Sequence, residues 1–270
     1  MKPFLKWAGN KFQIVTRIKT ILDETLPTGK RLIEPFAGSG AVFLNTAYPA
    51  YLLGDANEDL INLYHHLQSE GDTFIAYAQT FFTPENNQKE RFYEFRTQFN
   101  TTNDTRLKSA LFLYLNKHCF NGLCRYNRKG QYNVPFGRYK KPYFPEKEMN
   151  FFVEKSQNAL FHHEDFVHVM QAAEIGDIVY CDPPYMPLSD TANFTSYSAG
   201  GFGPEQQQRL AREAETLAAR GIPVVISNHD TEFIRQEYAQ AQLHSFDVQR
   251  YISRDGNNRG KAAELLAVFT

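Results

Sequence analysis

Between Thr105 and Pro145 the chain contains no Asp and no Glu. Over the same stretch Arg106, Lys108, Lys117, Arg125, Arg128, Lys129, Arg138, Lys140 and Lys141 contribute nine positive charges. Because the formal net charge of the 270 residues is −1, the remainder of the chain must carry −10. A one-signed segment of this length reads as the footprint of a polyanion. A solvated face is the other reading, but such a face more often mixes both signs. Rings at Phe120, Tyr126, Tyr132, Phe136, Tyr139 and Tyr143 are interleaved with the charges. Rings so placed can stack on bases or wedge between them.

Other features are scarce too. The three cysteines, Cys119, Cys124 and Cys181, are odd in number and lack zinc-like spacing, which argues against a disulfide framework or a zinc site. His118 beside Cys119 and the cluster His162-His163-Glu164-Asp165 are read as ordinary core and surface residues, so no metal is expected. No apolar run approaches the roughly 20 residues of a membrane span. The first residues, Met1 to Trp7, lack the apolar core of a signal peptide, so a cytoplasmic chain with no membrane partner is expected. With 42% hydrophobic and 22% charged residues, the composition is that of a globular protein of one large or two modest domains.

Asp182-Pro183-Pro184-Tyr185 follows the apolar run Ile178-Val179-Tyr180-Cys181. A buried strand thus delivers a carboxylate, two prolines and a ring to its C-terminal end, where open α/β sheets place their chemistry. An exocyclic amine on a nucleobase is a poor nucleophile because its lone pair is delocalised into the ring. A carboxylate and a backbone carbonyl that accept its N–H groups draw the nitrogen toward tetrahedral geometry. The carbonyl of Pro183 suits the second role, since proline restricts φ, and Tyr185 offers a face for an extruded base.

Upstream, Arg31-Leu32-Ile33 reads as a strand ending in Glu34-Pro35-Phe36-Ala37-Gly38-Ser39-Gly40. A helix over 41–46 and a strand Tyr51–Gly54 ended by Asp55 are expected next. This order is the first half of a Rossmann-like unit, but the third glycine of a dinucleotide fingerprint is missing. A cofactor without phosphates fits better. Gly38 and Gly40 let backbone approach the methionine-side carbons of S-adenosylmethionine, and Asp55 can accept from both ribose hydroxyls. From Asn57 to Lys117 the pattern is helical, with Leu60, Leu63, Tyr64 and Leu67 and then Phe92, Phe95 and Phe99 at helical spacing. Residues 121–143 read as loop and hairpin with a turn at Arg128-Lys129-Gly130-Gln131. A helix from Pro204 to Ala219, a strand Val224–Ser227 and an antiparallel pair, Leu243–Tyr251 with Glu264–Phe269, complete the reading. Ser198 to Gly203 is glycine-rich and reads either as a lid that orders on binding or as a plain loop.

Phe4-Leu5-Lys6-Trp7-Ala8-Gly9-Asn10-Lys11, Glu34-Pro35-Phe36-Ala37-Gly38-Ser39-Gly40 and Asp182-Pro183-Pro184-Tyr185 occur in that order. Together they resemble the Dam-type, GATC-methylating DNA adenine-N6 methyltransferases. The resemblance covers nearly the whole chain and extends to 121–127, 134–142 and Ser227-Asn228-His229-Asp230, then to Ser253, Gly256 and Arg259 before Glu264-Leu265-Leu266. It implies a Rossmann-like, S-adenosylmethionine-dependent α/β catalytic domain over 1–56 and 146–270. Inserted at 57–145 it implies a mainly helical target-recognition domain. The expected partner is double-stranded DNA, bound by a monomeric chain at the nucleoid.

By the same resemblance Trp7, Lys11, Asp55 and Asp182 bind S-adenosylmethionine, with Glu34, Phe36, Gly38 and Gly40 beside them and Asp165 and Phe166 near its adenine. Lys11 offers a charge for the cofactor carboxylate, and Trp7 packs on its aliphatic or adenosyl part. Glu34 acts either near the amino-acid moiety or structurally at the strand end. On the DNA side the resemblance implies that Lys6 reads the first guanine and Arg125 the guanine opposite the final cytosine. Leu123 and Pro135 would meet the thymine methyl, and Lys117, Lys140 and Lys141 would hold phosphates. Arg96, Asn121, Asn127, Arg138 and Tyr139 fall on the same expected face. Phe120 stands where the family has a wedging tyrosine, and it keeps the flat apolar ring while losing the hydroxyl. N4-cytosine methylation and protein glutamine methylation use related motifs, more often with Ser or Asn first. Asp182 and the basic segment argue against both, and the intact motifs argue against a silent DNA-binding regulator.

Overall fold

The computed structural model describes residues 1–185, 202–249 and 261–270. Seven short segments form the strands β1 (Arg31–Glu34), β2 (Ala50–Asp55), β3 (Ala159–His163), β4 (Asp177–Cys181), β5 (Val224–His229), β6 (Gln242–Gln249) and β7 (Lys261–Phe269). They make one mixed sheet in the order β3-β2-β1-β4-β5-β7-β6. β1 runs parallel to β2 and β4, and β4 parallel to β5, whereas β7 is antiparallel to both β5 and β6. The C-terminal pair is therefore present, with β7 inside and β6 at the edge. Tyr251, Ser253, Gly256 and Arg259 lie outside the described residues, as does most of the glycine-rich stretch 198–203.

The helices are α1 (Val15–Thr25), α2 (Glu58–Glu70), α3 (Asp72–Gln79), α4 (Lys89–Thr101), α5 (Thr105–His118), α6 (Glu146–Ser156), α7 (Phe166–Gln171), α8 (Pro204–Ala219) and α9 (Glu232–Glu237). Several begin at side-chain caps. Asn57 Oδ1 accepts the Leu60 N–H (3.2 Å), and Asp104 Oδ1 accepts those of Arg106 (2.9 Å) and Leu107 (3.1 Å). Such bonds satisfy amides that have no partner within the helix. α8 begins with Pro204 in its first turn, and Gly221 follows it at φ 78°.

The expected helix at 41–46 is reduced to a single tight turn, Phe43–Asn45. Asn45 Nδ2 donates to the Ala41 carbonyl (2.8 Å) and the Thr46 hydroxyl to that of Val42 (3.0 Å). Side chains thus take carbonyls that a longer helix would use. The turn in the basic segment also sits one residue early: the Gly130 N–H donates to the Asn127 carbonyl (2.9 Å). Strand pairing there is limited to isolated bridges, Cys119 with Phe136 and Tyr126 with Tyr132.

The chain divides into two compact units. One comprises Met1–Gln13, Ala37–Thr46 and Gly54–Glu164, and the other Ile14–Phe36, Ala47–Leu53 and Asp165–Thr270. The expected 57–145 insertion lies within the first, whose core is aromatic. Phe4 meets Phe152 edge-on at 5.2 Å, and Tyr64 lies 4.7 Å from Phe152. In the second unit β4 and β5 are buried at every residue. Ile33, Val179, Val224 and Ile226 pack with Met170 of α7, Leu210 and Leu217 of α8 and Ile234 of α9. Strands covered by helices read as continuous apolar runs, which is why these two were legible.

Candidate active site

β4 carries Asp182-Pro183-Pro184-Tyr185 at its carboxyl end, in register with β1 and β5 on either side. The Asp182 carboxylate is oriented from β5: the Ser227 hydroxyl donates to Asp182 Oδ1 at 3.0 Å. Ser227 Oγ in turn accepts from the Tyr180 phenol at 3.1 Å. Burial, and then the Asp182, Glu34 and Glu264 carboxylates, push that phenol well above its usual range. Tyr180 therefore keeps its proton and remains a donor, which fixes the direction of the relay toward Asp182.

The rest of the motif is also anchored. Gln207 Nε2 donates to the Pro184 carbonyl at 3.1 Å. The Tyr185 ring meets His229 edge-on at 4.5 Å, and its hydroxyl donates to Glu264 Oε2 at 3.4 Å. Glu34, at the end of β1, is buried. Nearby in chain order and in space, Phe36 stacks on Phe166 at 5.2 Å and meets Phe202 edge-on at 5.4 Å. Arg209 lies over Phe166 and forms a bidentate pair with Asp165, with contacts of 3.0 and 3.1 Å. Asp165 also caps α7 through the Val167 N–H (3.0 Å). Phe36, Phe166 and Phe202 thus form an aromatic cluster edged by the Asp165–Arg209 pair.

In the other unit the glycine loop and Asp55 are tied together. Gly38 and Gly40 have φ of 48° and 70°, where a side chain is strained. A Cβ at Gly38 would also fall 3.0 Å from the Trp7 indole nitrogen. Asp55 Oδ2 accepts the Gly38 N–H and Oδ1 that of Asn57, both at 2.9 Å. Burial raises the Asp55 carboxyl, and the two N–H donors and His163 offset part of that rise. Each carboxylate oxygen can accept a second hydrogen bond, so the pair of acceptors fits the two hydroxyls of a vicinal diol. Lys11 is buried and its ammonium donates to the Gly9 carbonyl (2.9 Å). Among the described residues no group of three or more His, Cys, Asp or Glu is placed to hold a metal ion, and no helix is long and apolar enough to cross a membrane.

The basic segment leaves Phe120, Asn121, Arg125, Asn127, Pro135, Arg138 and Lys140 exposed. Asn133 holds one edge of Arg125, accepting from Nε at its side chain (2.8 Å) and from Nη2 at its carbonyl (3.3 Å). The side edge, Nε with Nη2, is thereby occupied, and Asn133 does not engage the end-on edge, Nη1 with Nη2. Lys6, Arg96, Leu123 and Tyr139 are half-buried. The Lys6 ammonium sits 3.9 Å over the Tyr139 ring, while Arg96 donates to the Val134 carbonyl (3.1 Å). Lys117 is buried instead of lying on the surface, and burial, aided by Lys6, pulls its ammonium down to about 8.

Ser227, Tyr180, Gln207 and Asn116 were not singled out by sequence as site residues. Asn116 clamps the Lys6 backbone: Oδ1 accepts the Lys6 N–H (2.9 Å), and Nδ2 donates to the carbonyls of Lys6 (2.7 Å) and Gly122 (3.4 Å). Ser227 lay within a motif already noticed, but nothing in the string says where its hydroxyl points.

Residues 7–252 match the family described as D12 class N6 adenine-specific DNA methyltransferase. The chain is 50% identical over 268 residues to the DNA adenine methylase of Escherichia coli (strain K12), covering 99% of this chain and 95% of that one. It is 51% identical over 269 residues to the DNA adenine methylase of Serratia marcescens, covering 99% and 98%. A third relative, the DNA adenine methylase of Vibrio cholerae serotype O1, is 51% identical over 270 residues, covering 100% and 96%. The mixed α/β fold with its seven-strand sheet agrees with these matches. The chain belongs to the D12 class of N6 adenine-specific DNA methyltransferases and is an adenine-specific DNA methyltransferase.

Proposed function

We propose that the chain methylates N6 of adenine at GATC in double-stranded DNA, with S-adenosylmethionine as donor and the target base turned out of the helix. The observation that carries this reading is the Asp182 carboxylate, held by the Ser227 hydroxyl at the end of β4 beside Pro183 and Tyr185. Asp182 and the Pro183 carbonyl accept the two N–H groups of the exocyclic amine and localise its lone pair. Tyr185, braced on His229, supplies the stacking face. A base inside a duplex cannot reach such a group, so extrusion is required.

Asp55, the glycine loop, Trp7 and Lys11 would hold the donor, with Glu34 and Phe36 beside them and Asp165 and Phe166 against its adenine. When bound, the donor supplies a methyl group on positively charged sulfur and a neutral leaving group. The residues here therefore need only position and place charge. Residues 57–145 act as the target-recognition domain. Phe120 wedges into the stack, Arg125 reads guanine through its end-on edge, and Leu123 and Pro135 meet the thymine methyl. Lys6 reads the first guanine. Lys140 and Lys141 hold phosphates with the buried Lys117 charge adding to them, and Arg96, Asn121, Asn127, Arg138 and Tyr139 complete the face.

Plasmid from cells making the protein tests this directly. It should resist a nuclease blocked by methylated GATC and be cut by one that requires that methylation. Complete cutting by the first nuclease, with labelled methyl found in duplexes lacking GATC, overturns the sequence assignment.

A further inference from the structure

Behind the β4 motif lies a group of side chains that the proposed chemistry does not use. Gln207 of α8, Asn228 of β5 and Tyr238 are each 0% exposed. Gln207 Oε1 accepts from Asn228 Nδ2 (3.0 Å) and from the Tyr238 hydroxyl (3.1 Å), and Asn228 Nδ2 also donates to that hydroxyl (3.1 Å). The cluster reaches the motif at two points. Gln207 Nε2 donates to the Pro184 carbonyl (3.1 Å). Asn228 Oδ1 accepts the N–H of His229 (2.9 Å), whose ring braces Tyr185.

A carbonyl can only accept, so the Gln207 NH2 must face Pro184 and its oxygen must face the two donors. Every polar atom of the Gln207 side chain is thereby engaged, and its orientation admits no flip. Burying three polar side chains is costly unless each is satisfied, and apolar residues would fill the same space. We infer that Gln207 is a positioning residue for methyl transfer: by tying down the Pro184 carbonyl it fixes the turn that presents the Pro183 carbonyl and the Asp182 carboxylate to the target amine. The inference rests on the reading of Asp182-Pro183-Pro184-Tyr185 as the catalytic motif.

Three variants of the full-length chain test it by single-turnover methylation of a GATC duplex. Gln207→Met keeps the length but makes no hydrogen bond. Its rate should fall about 100-fold, the loss that a misplacement of about 1 Å can cause, with donor and duplex affinities close to wild type. Gln207→Glu is the conservative partner. Protonated, it can still donate to Pro184 and accept from Asn228 and Tyr238; ionised, it can only accept and turns a charge on the carbonyl. Its rate should match wild type at low pH and collapse as pH rises, a transition absent from the wild-type profile. The titratable group touching it is the Tyr238 phenol, which burial raises above its usual range and so keeps neutral.

A Gln207→Met rate within about two-fold of wild type would overturn the inference. If that variant does not fold, Gln207→Glu decides: a pH profile parallel to wild type overturns it, and the new transition supports it. Asp182→Ala is measured alongside. An active Asp182→Ala sinks the motif reading itself, whereas an inactive one beside an unaffected Gln207→Met sinks only the role of Gln207.

Discussion

The end of β4 and the basic segment are both proposed to meet the target, yet they are held differently. Around β4 the polar atoms bond to other parts of the fold: Tyr180 to Ser227, Ser227 to Asp182, Gln207 to Pro184. Between Phe120 and Tyr143 strand pairing is limited to isolated bridges, and side-chain bonds, Asn133 to Arg125 within the stretch and Arg96 and Asn100 into it from α4, do much of the shaping. Large rings stay in the open there, with Phe120 50% and Tyr143 58% exposed. Localising a lone pair requires groups fixed to fractions of an ångström, which buried hydrogen bonds supply. A surface that meets a groove gains more from exposed rings and charges on an adaptable loop.

Substitutions at the two regions should therefore fail differently. Asp182→Ala is expected to have the largest effect, abolishing methyl transfer while duplex binding persists in a gel-shift assay. Asp182→Asn should also be poor, because an amide carries no charge and must orient its oxygen. Near wild-type turnover by either variant would end the contrast at once. Asp55→Ala should weaken donor binding by about 1.5–3 kcal/mol, the range for hydrogen bonds to a charged group, and leave duplex affinity nearly unchanged. Calorimetry decides that point.

Arg125→Ala should cost about 1–3 kcal/mol of discrimination at one base pair. The measurement is the methylation rate on GATC against sites altered at the fourth position. If all rates fall equally and their ratio holds, Arg125 is a phosphate clamp and the basic segment reads less than proposed. Lys117 adds a pH dependence. With its pKa pulled down to about 8, its charge is present below that pH and lost above it, so duplex affinity should decline through pH 8. Lys117→Met should flatten the decline. For folding the sign is reversed: a lowered lysine pKa disfavours the folded state while charged, so stability rises between pH 8 and the ordinary value of 10.5. The smallest effect is expected at Lys140. Its alanine variant should bind every sequence somewhat less tightly, with the salt slope reduced by about 1.

What the sequence disclosed follows the same division. β4, β5 and α8 were legible because continuous apolar runs and helical periodicity survive without knowledge of neighbours. α1 has no side-chain cap to announce its start, although Val15, Ile18, Ile21 and Leu22 share one buried face. The same holds for α6, whose buried face is Met149, Phe152 and Ser156. The turn at 43–45 reads as a helix in the sequence because Asn45 and Thr46 are compatible with one, and only the fold shows their side chains taking its carbonyls. Motif order points to Asp182, Asp55 and Arg125 as candidates. It could not reveal Gln207 or Asn116, whose roles depend on atoms brought from distant segments. Nor could it separate a surface lysine from Lys117, because a count of charges carries no burial.

The Asn116 clamp bears on how such a protein could be recombined. Lys6 is bound through both of its backbone polar groups to a residue 110 positions away, and a Cβ on Gly122 would fall 2.3 Å from the Lys6 Cβ. A chimera that imports only residues 57–145 from a relative inherits positions 116 and 122 but leaves residue 6 behind. The imported stretch would then meet a residue 6 whose backbone placement is set by the rest of the recipient chain. Residue 6 and the 116–122 stretch thus pack as one unit drawn from two separate parts of the chain, and a transplant that preserves this packing must carry both.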